Sequence, residues 1–139
     1  MAVKTKRFWV DLHADGDMAD ISAEAQAFVS SSGLSNGILA VFSVGSTSAV
    51  STIEYEPGLK EDMLRAFERL APASIDYEHH NKWHDDNGRG HVRSTFVGCS
   101  LVVPFTEKKL VLGQWQQIVV MNLDTSQRKR EVVLQVLGE

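Results

Sequence analysis

The chain has 139 residues, 43% hydrophobic and 23% charged, with a formal net charge of −4. Those values suit one globular domain spanning 1–139 with a real core, and argue against a general binder of nucleic acid or membrane surfaces. No apolar run approaches the ~20 residues of a membrane span, and the lone Cys99 excludes an intrachain disulfide or a thiolate zinc cluster, which fits a cytoplasmic setting.

The N-terminal "MAVKTKRFWVDL" is basic, but it passes straight into alternation at Phe8, Val10 and Leu12, the pattern of a strand and not of a signal peptide. "ISAEAQAFVSSSG" reads as a helix, with Ser22 as N-cap and Gly33 just past its end. "GILAVFSV" (37–44) is short and wholly apolar enough for a buried strand, and "AVSTIEYE" (49–56) is β-branched and alternating, a second strand. Pro57 opens a further helix with Leu59, Met63, Phe67 and Leu70 on one stripe, and Pro72 ends it. The segment 77–91 then reads as a loop. Three strand-like stretches follow it: "HVRSTFVGCSLVVPF", "KLVLGQWQQIVVMNLD" and "KREVVLQVLGE". Two main helices beside many sequence-adjacent strands predict an α+β fold with a largely antiparallel sheet.

The segment "YEHHNKWHDDNGRGH" holds four of the chain's five histidines. His79, His84 and His91 are separated by intervals that match no helical zinc motif, so their spacing is a weak signal. Their chemistry is stronger, since neutral imidazole is the commonest metal ligand and three imidazoles with one open position make a catalytic-type zinc site. Asp85 and Asp86 can orient such rings through the second nitrogen. The alternative is a polar, solvated loop, and both readings stand on composition. His13 and His80 read as ordinary surface residues.

Three other stretches carry possible chemistry. In "GSTSAVSTIEYEPG" the hydroxyls and amides of a turn can hold phosphate, while Glu54 and Glu56 can bind a cation or act as bases; a half-exposed strand with polar alternates explains the same pattern. In "LGQWQQI" Trp115 can stack on a planar ring and Gln116 can hydrogen-bond it, although a strand Trp is more often core. Arg128 and Arg130 fall on one face of a strand and suit a phosphate or carboxylate. If they bind phosphate, replacing both with Gln is expected to weaken that binding and leave thermal stability nearly unchanged; the alternative is a solvated strand end.

Taken in order, "SGLSNGILAVF", "GSTSAVSTIEYEPGLKEDM", "YEHHNKWHDDNGRGH", "KLVLGQWQQIVVMNLD" and "RKREVVLQVLGE" resemble the YjbQ-like family over nearly the whole chain. "YEH…NG…H" and "LGxWQ" are the most specific pieces. The resemblance implies a secondary thiamine-phosphate synthase activity, in which a pyrimidine pyrophosphate couples to a thiazole phosphate. It implies a small α+β protein that assembles as a homo-trimer, with its site near a subunit boundary and a small phosphorylated ligand as partner. Family positions carried across are His79, Asn87, Gly88, His91, Trp115, Gln116, Asp62, Arg128 and Arg130. His79, His91 and, on chemistry, His84 are the expected ligands of a divalent metal, zinc foremost. Thr47, Ser48, Asn87, Trp115, Gln116, Arg128 and Arg130 are the expected substrate contacts. Metal-assisted hydrolysis of a small phosphate ester, with Glu54 or Asp62 as base, is the alternative enzyme; a trimeric binding protein without turnover is the third reading. The chain departs from the commoner family pattern at Ser46-Thr47, at Glu54-Tyr55 in "EYEPG", and at Cys99 where proline is usual.

Overall fold

A computed structural model describes residues 1–139. The elements run β1 (Ala2–Leu12), β2 (Asp17–Asp20), α1 (Ser22–Ser31), β3 (Gly37–Val44), β4 (Ser48–Ile53), α2 (Pro57–Leu70), α3 (Glu78–Trp83), α4 (Gly88–Val97), β5 (Ser100–Thr106), β6 (Lys109–Leu110), β7 (Gln117–Asn122) and β8 (Arg128–Gly138). They form a five-stranded sheet in the order β1-β8-β3-β5-β6 and a three-stranded sheet in the order β2-β7-β4. Every pairing is antiparallel. The α+β class and the antiparallel character are therefore as the sequence predicts.

Local signals explain the elements that were legible. In β3 the inward Leu39, Val41 and Ser43 alternate with outward Ile38, Phe42 and Val44, the period of two that a pleated strand imposes. Pro57 opens α2, and the Glu56 side chain before it accepts hydrogen bonds from the amides of Gly58 and Leu59. Ser22 is not the cap of α1, which is Ile21; the Ser22 hydroxyl instead accepts from the Ile118 amide at 2.9 Å and ties the helix to β7. Along α2, Phe67 is buried with Met63 and Leu64 packed beside it, whereas Leu70 is 44% exposed and leaves the expected stripe.

The segment 77–91 is not a loop. It holds α3 and the start of α4, so the chain has four helices, and residues 91–97 are helical where a strand is expected. The reason lies in which residues α4 buries: Gly88, Gly90, Arg93 and Ser94, small or charged, with the apolar Val92 and Phe96 on the outer side. Arg93 is anchored by donating to the Ala71 carbonyl at 2.7 and 3.1 Å and to Glu68 at 2.9 Å. A helix whose inner face is polar shows no apolar stripe to read.

The core lies between the sheets. Leu39, Val41, Val103, Phe105, Val132, Leu134 and Val136 of the larger sheet meet Ile118 and Val120 of β7 and Ala25 and Val29 of α1. The opposite face of β7, Val119 and Met121, packs with Phe67, Met63 and Leu64 of α2. Both apolar faces of β7 are thus covered within the chain. The outward face of the five-stranded sheet has no such cover: Val3, Ile38, Phe42, Val44, Val102 and Leu137 are exposed there.

Candidate functional site

A cavity of about 300 Å³ opens where the β3–β4 turn, the N-terminal half of α4 and the start of β8 meet. Gly45, Ser46, Thr47, Asn87, His91, Asp124, Arg128 and Arg130 line it, without one hydrophobic side chain. Thr47, Asn87, His91, Arg128 and Arg130, all candidates from sequence, come together here although they span 83 positions between Thr47 and Arg130.

The floor is a buried polar network. Arg130 is 7% exposed; its Nε donates to Asn122 Oδ1 at 3.1 Å, and its Nη2 donates to Thr47 Oγ1 and Asn122 Oδ1 at 2.6 Å and to the Thr47 carbonyl at 3.0 Å. Asn122 in turn donates to the carbonyls of His13 and Ser126 at 2.8 and 2.9 Å, fixing the end of β7 to two loops. The Thr47 hydroxyl donates to Asp124 Oδ2 at 2.8 Å. Arg128 reaches the same carboxylate at 3.3 Å from the cavity rim, where its side chain is half exposed. Arg128 is the solvated strand end that the sequence suggests, whereas Arg130 is an internal brace, so the expectation that both are dispensable for stability is corrected.

Charge within the network is balanced by contacts. Burial by itself raises the Asp124 carboxyl, but hydrogen bonds from Thr47 and the Thr125 amide, with the Arg128 charge, outweigh it and hold the group below the ordinary carboxylate range. Burial lowers Arg130 from the usual arginine value, and Asp124 opposes that shift. Asn122 and Asp124 were not candidates from sequence. Their signal was faint: two polar residues at alternate positions closing an apolar strand, followed closely by the arginines.

His79 and His91 stack with ring centroids 4.4 Å apart, and His79 Nε2 lies 3.4 Å from Asp85 Oδ2. Burial and then the adjoining His79 ring push the His91 imidazole below its ordinary value, so it is neutral near pH 7. The Asn87 amide sits between Asp124 and this pair. Turned one way it donates to Asp124 at 3.4 Å; turned the other it donates to His79 Nε2 at 3.2 Å and to Asp85 at 3.3 Å. The second orientation is preferred, because the first sets the amide oxygen against acceptors only.

The remaining candidates lie elsewhere. His84 is exposed, in a left-handed conformation at the end of α3, and no hydrogen bond or ring contact joins it to His79 or His91. No three His, Cys, Asp or Glu side chains converge as a metal-holding group. His80 is no idle surface residue: its Nε2 accepts the Gly88 amide at 3.1 Å, and Tyr77 packs on its ring. Ser48 is fully buried and accepts from the Ser43 hydroxyl at 2.8 Å. Glu54 is exposed just past β4, and Asp62 is exposed on α2; neither lines the cavity. Trp115 is not in a strand but 67% exposed in the turn before β7, and Gln116 lines a separate groove between β4 and β5, where it donates to Thr52 Oγ1 at 3.1 Å.

Comparison with known proteins gives one answer throughout. The family model described as "UPF0047 protein YjbQ-like" matches residues 6–139. A UPF0047 protein of Archaeoglobus fulgidus is 33% identical over 84% of this chain and 89% of its own length. One of Methanothermobacter thermautotrophicus is 35% identical over 88% and 84%. A crystal structure of a YbjQ-like protein of unknown function from Sulfolobus solfataricus superposes with a TM-score of 0.92 at 34% identity, covering 99% of both chains. A hypothetical protein from Aeropyrum pernix gives 0.89 at 32% identity, over 98% of this chain and 99% of its own. No helix is long and apolar enough to cross a membrane.

Proposed function

The chain belongs to the UPF0047 YjbQ-like family, and from that premise we propose that its polar cavity binds a small phosphorylated ligand and supports a thiamine-phosphate synthase-like coupling. The observation that carries the reading is the gathering of Arg128, the braced Arg130, Thr47, Asn87 and His91 around one 300 Å³ space. Guanidinium donors in a recessed polar site suit a phosphoryl group or a departing pyrophosphate. The reaction would take place in the reducing, cytoplasmic setting that the lone cysteine suits.

A divalent cation, zinc foremost, belongs to this proposal in reduced form. The three-imidazole set does not assemble, since His84 stays apart. His79 and the neutral His91 are the two imidazoles left for a cation, whose other positions would have to come from ligand oxygens. When bound, such an ion supplies charge that stabilises a leaving pyrophosphate. The chain's own part is to hold the phosphate and to keep His91 uncharged. Glu54 and Asp62 stand outside the cavity, which removes the bases on which the hydrolytic alternative rests. Binding without turnover has one observation in its favour: Asp124, the only carboxylate lining the cavity, is already engaged by Thr47, Thr125 and Arg128. The homo-trimer also stands as a proposal, supported by the uncovered apolar face of the five-stranded sheet.

Rescue of a thiamine-requiring strain tests the reading. The wild-type chain should support growth, and His91→Ala and Arg128→Gln should not. Elemental analysis should find about one zinc-like ion per chain, lost in a His79→Ala/His91→Ala double variant and kept in His84→Ala. No rescue by the wild type would leave ligand binding alone. Full metal retention in the double variant would remove the cation from these histidines.

A further inference from the structure

The turn joining β3 to β4 exposes Gly45 and Ser46 and buries Thr47. The amides of Gly45, Ser46 and Thr47 donate to no acceptor anywhere in the chain. The Thr47 carbonyl, by contrast, accepts from the Leu123 amide at 2.8 Å and from Arg130 Nη2 at 3.0 Å. Thr47 is 5% exposed, and all three residues line the cavity. Arg130 is bound through Nε and Nη2, while its Nη1 makes no hydrogen bond within the chain. That Nη1 lies only 3.1 Å from where a Cβ on Gly45 would sit, and Gly45 has φ +146°.

Resting on the reading above, we propose that the Gly45–Thr47 turn is the seat of a terminal phosphoryl group, bound mainly by main-chain amides. Successive unpaired amides form an anion-binding concavity. Here Arg130 Nη1 closes one side, and Arg128 can leave Asp124 to reach the group from the rim. This donor set matches the three unsubstituted oxygens of a phosphate monoester, or three of the four of inorganic phosphate. A phosphodiester has only two unsubstituted oxygens and would leave donors unpaired. The role of Arg130 follows from its bonds: it holds the turn in shape by gripping Thr47, and only its free end meets the ligand. Gly45 is needed because a side chain there would enter the space between the turn and the guanidinium.

The test uses the full-length wild-type chain labelled with ¹⁵N and titrated with inorganic phosphate, methyl phosphate and dimethyl phosphate. The amides of Gly45, Ser46 and Thr47 should move downfield and saturate with inorganic phosphate and methyl phosphate, and stay still with dimethyl phosphate. A response to methyl phosphate assigns the seat to an ester; a response to inorganic phosphate alone assigns it to the free ion. Gly45→Ala should weaken binding roughly tenfold or more. If Gly45→Ala does not fold, the wild-type titration still decides. Saturable movement of the Arg128 side-chain resonance with still turn amides would overturn the seat and leave the cavity reading intact. No movement of any resonance would overturn both. An equal response to dimethyl phosphate would overturn the preference for a terminal group.

Discussion

Arg130 donates four hydrogen bonds inside the chain, and Arg128, two residues earlier on the same face, donates none and meets only the Asp124 carboxylate. Removing the first takes the charged donor from the buried Asn122 Oδ1 and from Thr47, whereas removing the second exposes nothing. Arg130→Gln should therefore cost about 3 kcal/mol of stability, the scale for breaking a buried charged contact. Arg128→Gln should stay within about 0.5 kcal/mol, as a rim substitution does. Urea unfolding of the two single variants measures both. Equal losses would mean that the network is not the brace described. Phosphate affinity should fall in Arg128→Gln without a change in the unfolding midpoint, which separates binding from folding.

At the scale of elements, α4 is the piece on which the site depends most. It carries His91 and begins beside Asn87, and it is seated by close backbone approach more than by apolar packing. A Cβ on Gly90 would lie 2.4 Å from the Leu123 carbonyl oxygen, against backbone that cannot turn aside. Gly90→Ala should thus push α4 off the end of β7, at a cost of about 2 kcal/mol. It should also weaken the His79–His91 stacking, read as a change in the shifts of both imidazoles. A variant as stable as the wild type, with unaltered imidazole shifts, would show that α4 is held by something other than this contact. The exposed Phe96, at 70%, makes no comparable contribution, and Phe96→Ser should leave the monomer's core unaltered.

For the whole molecule, the outward face of the five-stranded sheet is the feature that a single chain leaves unfinished. Cross-strand rows place Val3, Leu137, Ile38 and Pro104 side by side, and Arg7, Val133, Phe42 and Ser100 in a parallel row. Exposed apolar rows of this kind mark association surfaces in folded proteins. With the trimer proposed, sedimentation equilibrium should give three times the 15.4 kDa chain mass, and cyclic symmetry would close the assembly. Phe42→Glu should dissociate it while leaving the inward Val41 and Leu39 packed. A monomeric mass at every concentration for the wild-type chain would rule the assembly out.

Strands announce themselves as short apolar, β-branched runs such as 37–44, but which face of the run is buried does not: Ile38, Phe42 and Val44 turn outward beside inward Leu39, Val41 and Ser43. Proline and a carboxylate at 56–57 announce α2 for an equally local reason. The family was legible from ordered motifs, and part of the site with it, since Asn87, His91, Arg128 and Arg130 lie on positions that the resemblance carries. Tertiary structure alone decided the rest. It made helices of 78–83 and 88–97, because the face that α4 buries is glycine, serine and a paired arginine, and its position is set by what Leu123 and Ala71 offer from elsewhere in the chain. It separated His84, Trp115, Glu54 and Asp62 from the cavity, and it brought in Asp124 and Asn122, whose value comes from partners up to 110 positions away. Which polar groups find each other across such distances depends on sheet order and register. A linear pattern carries the period of each strand but not the choice of its neighbour.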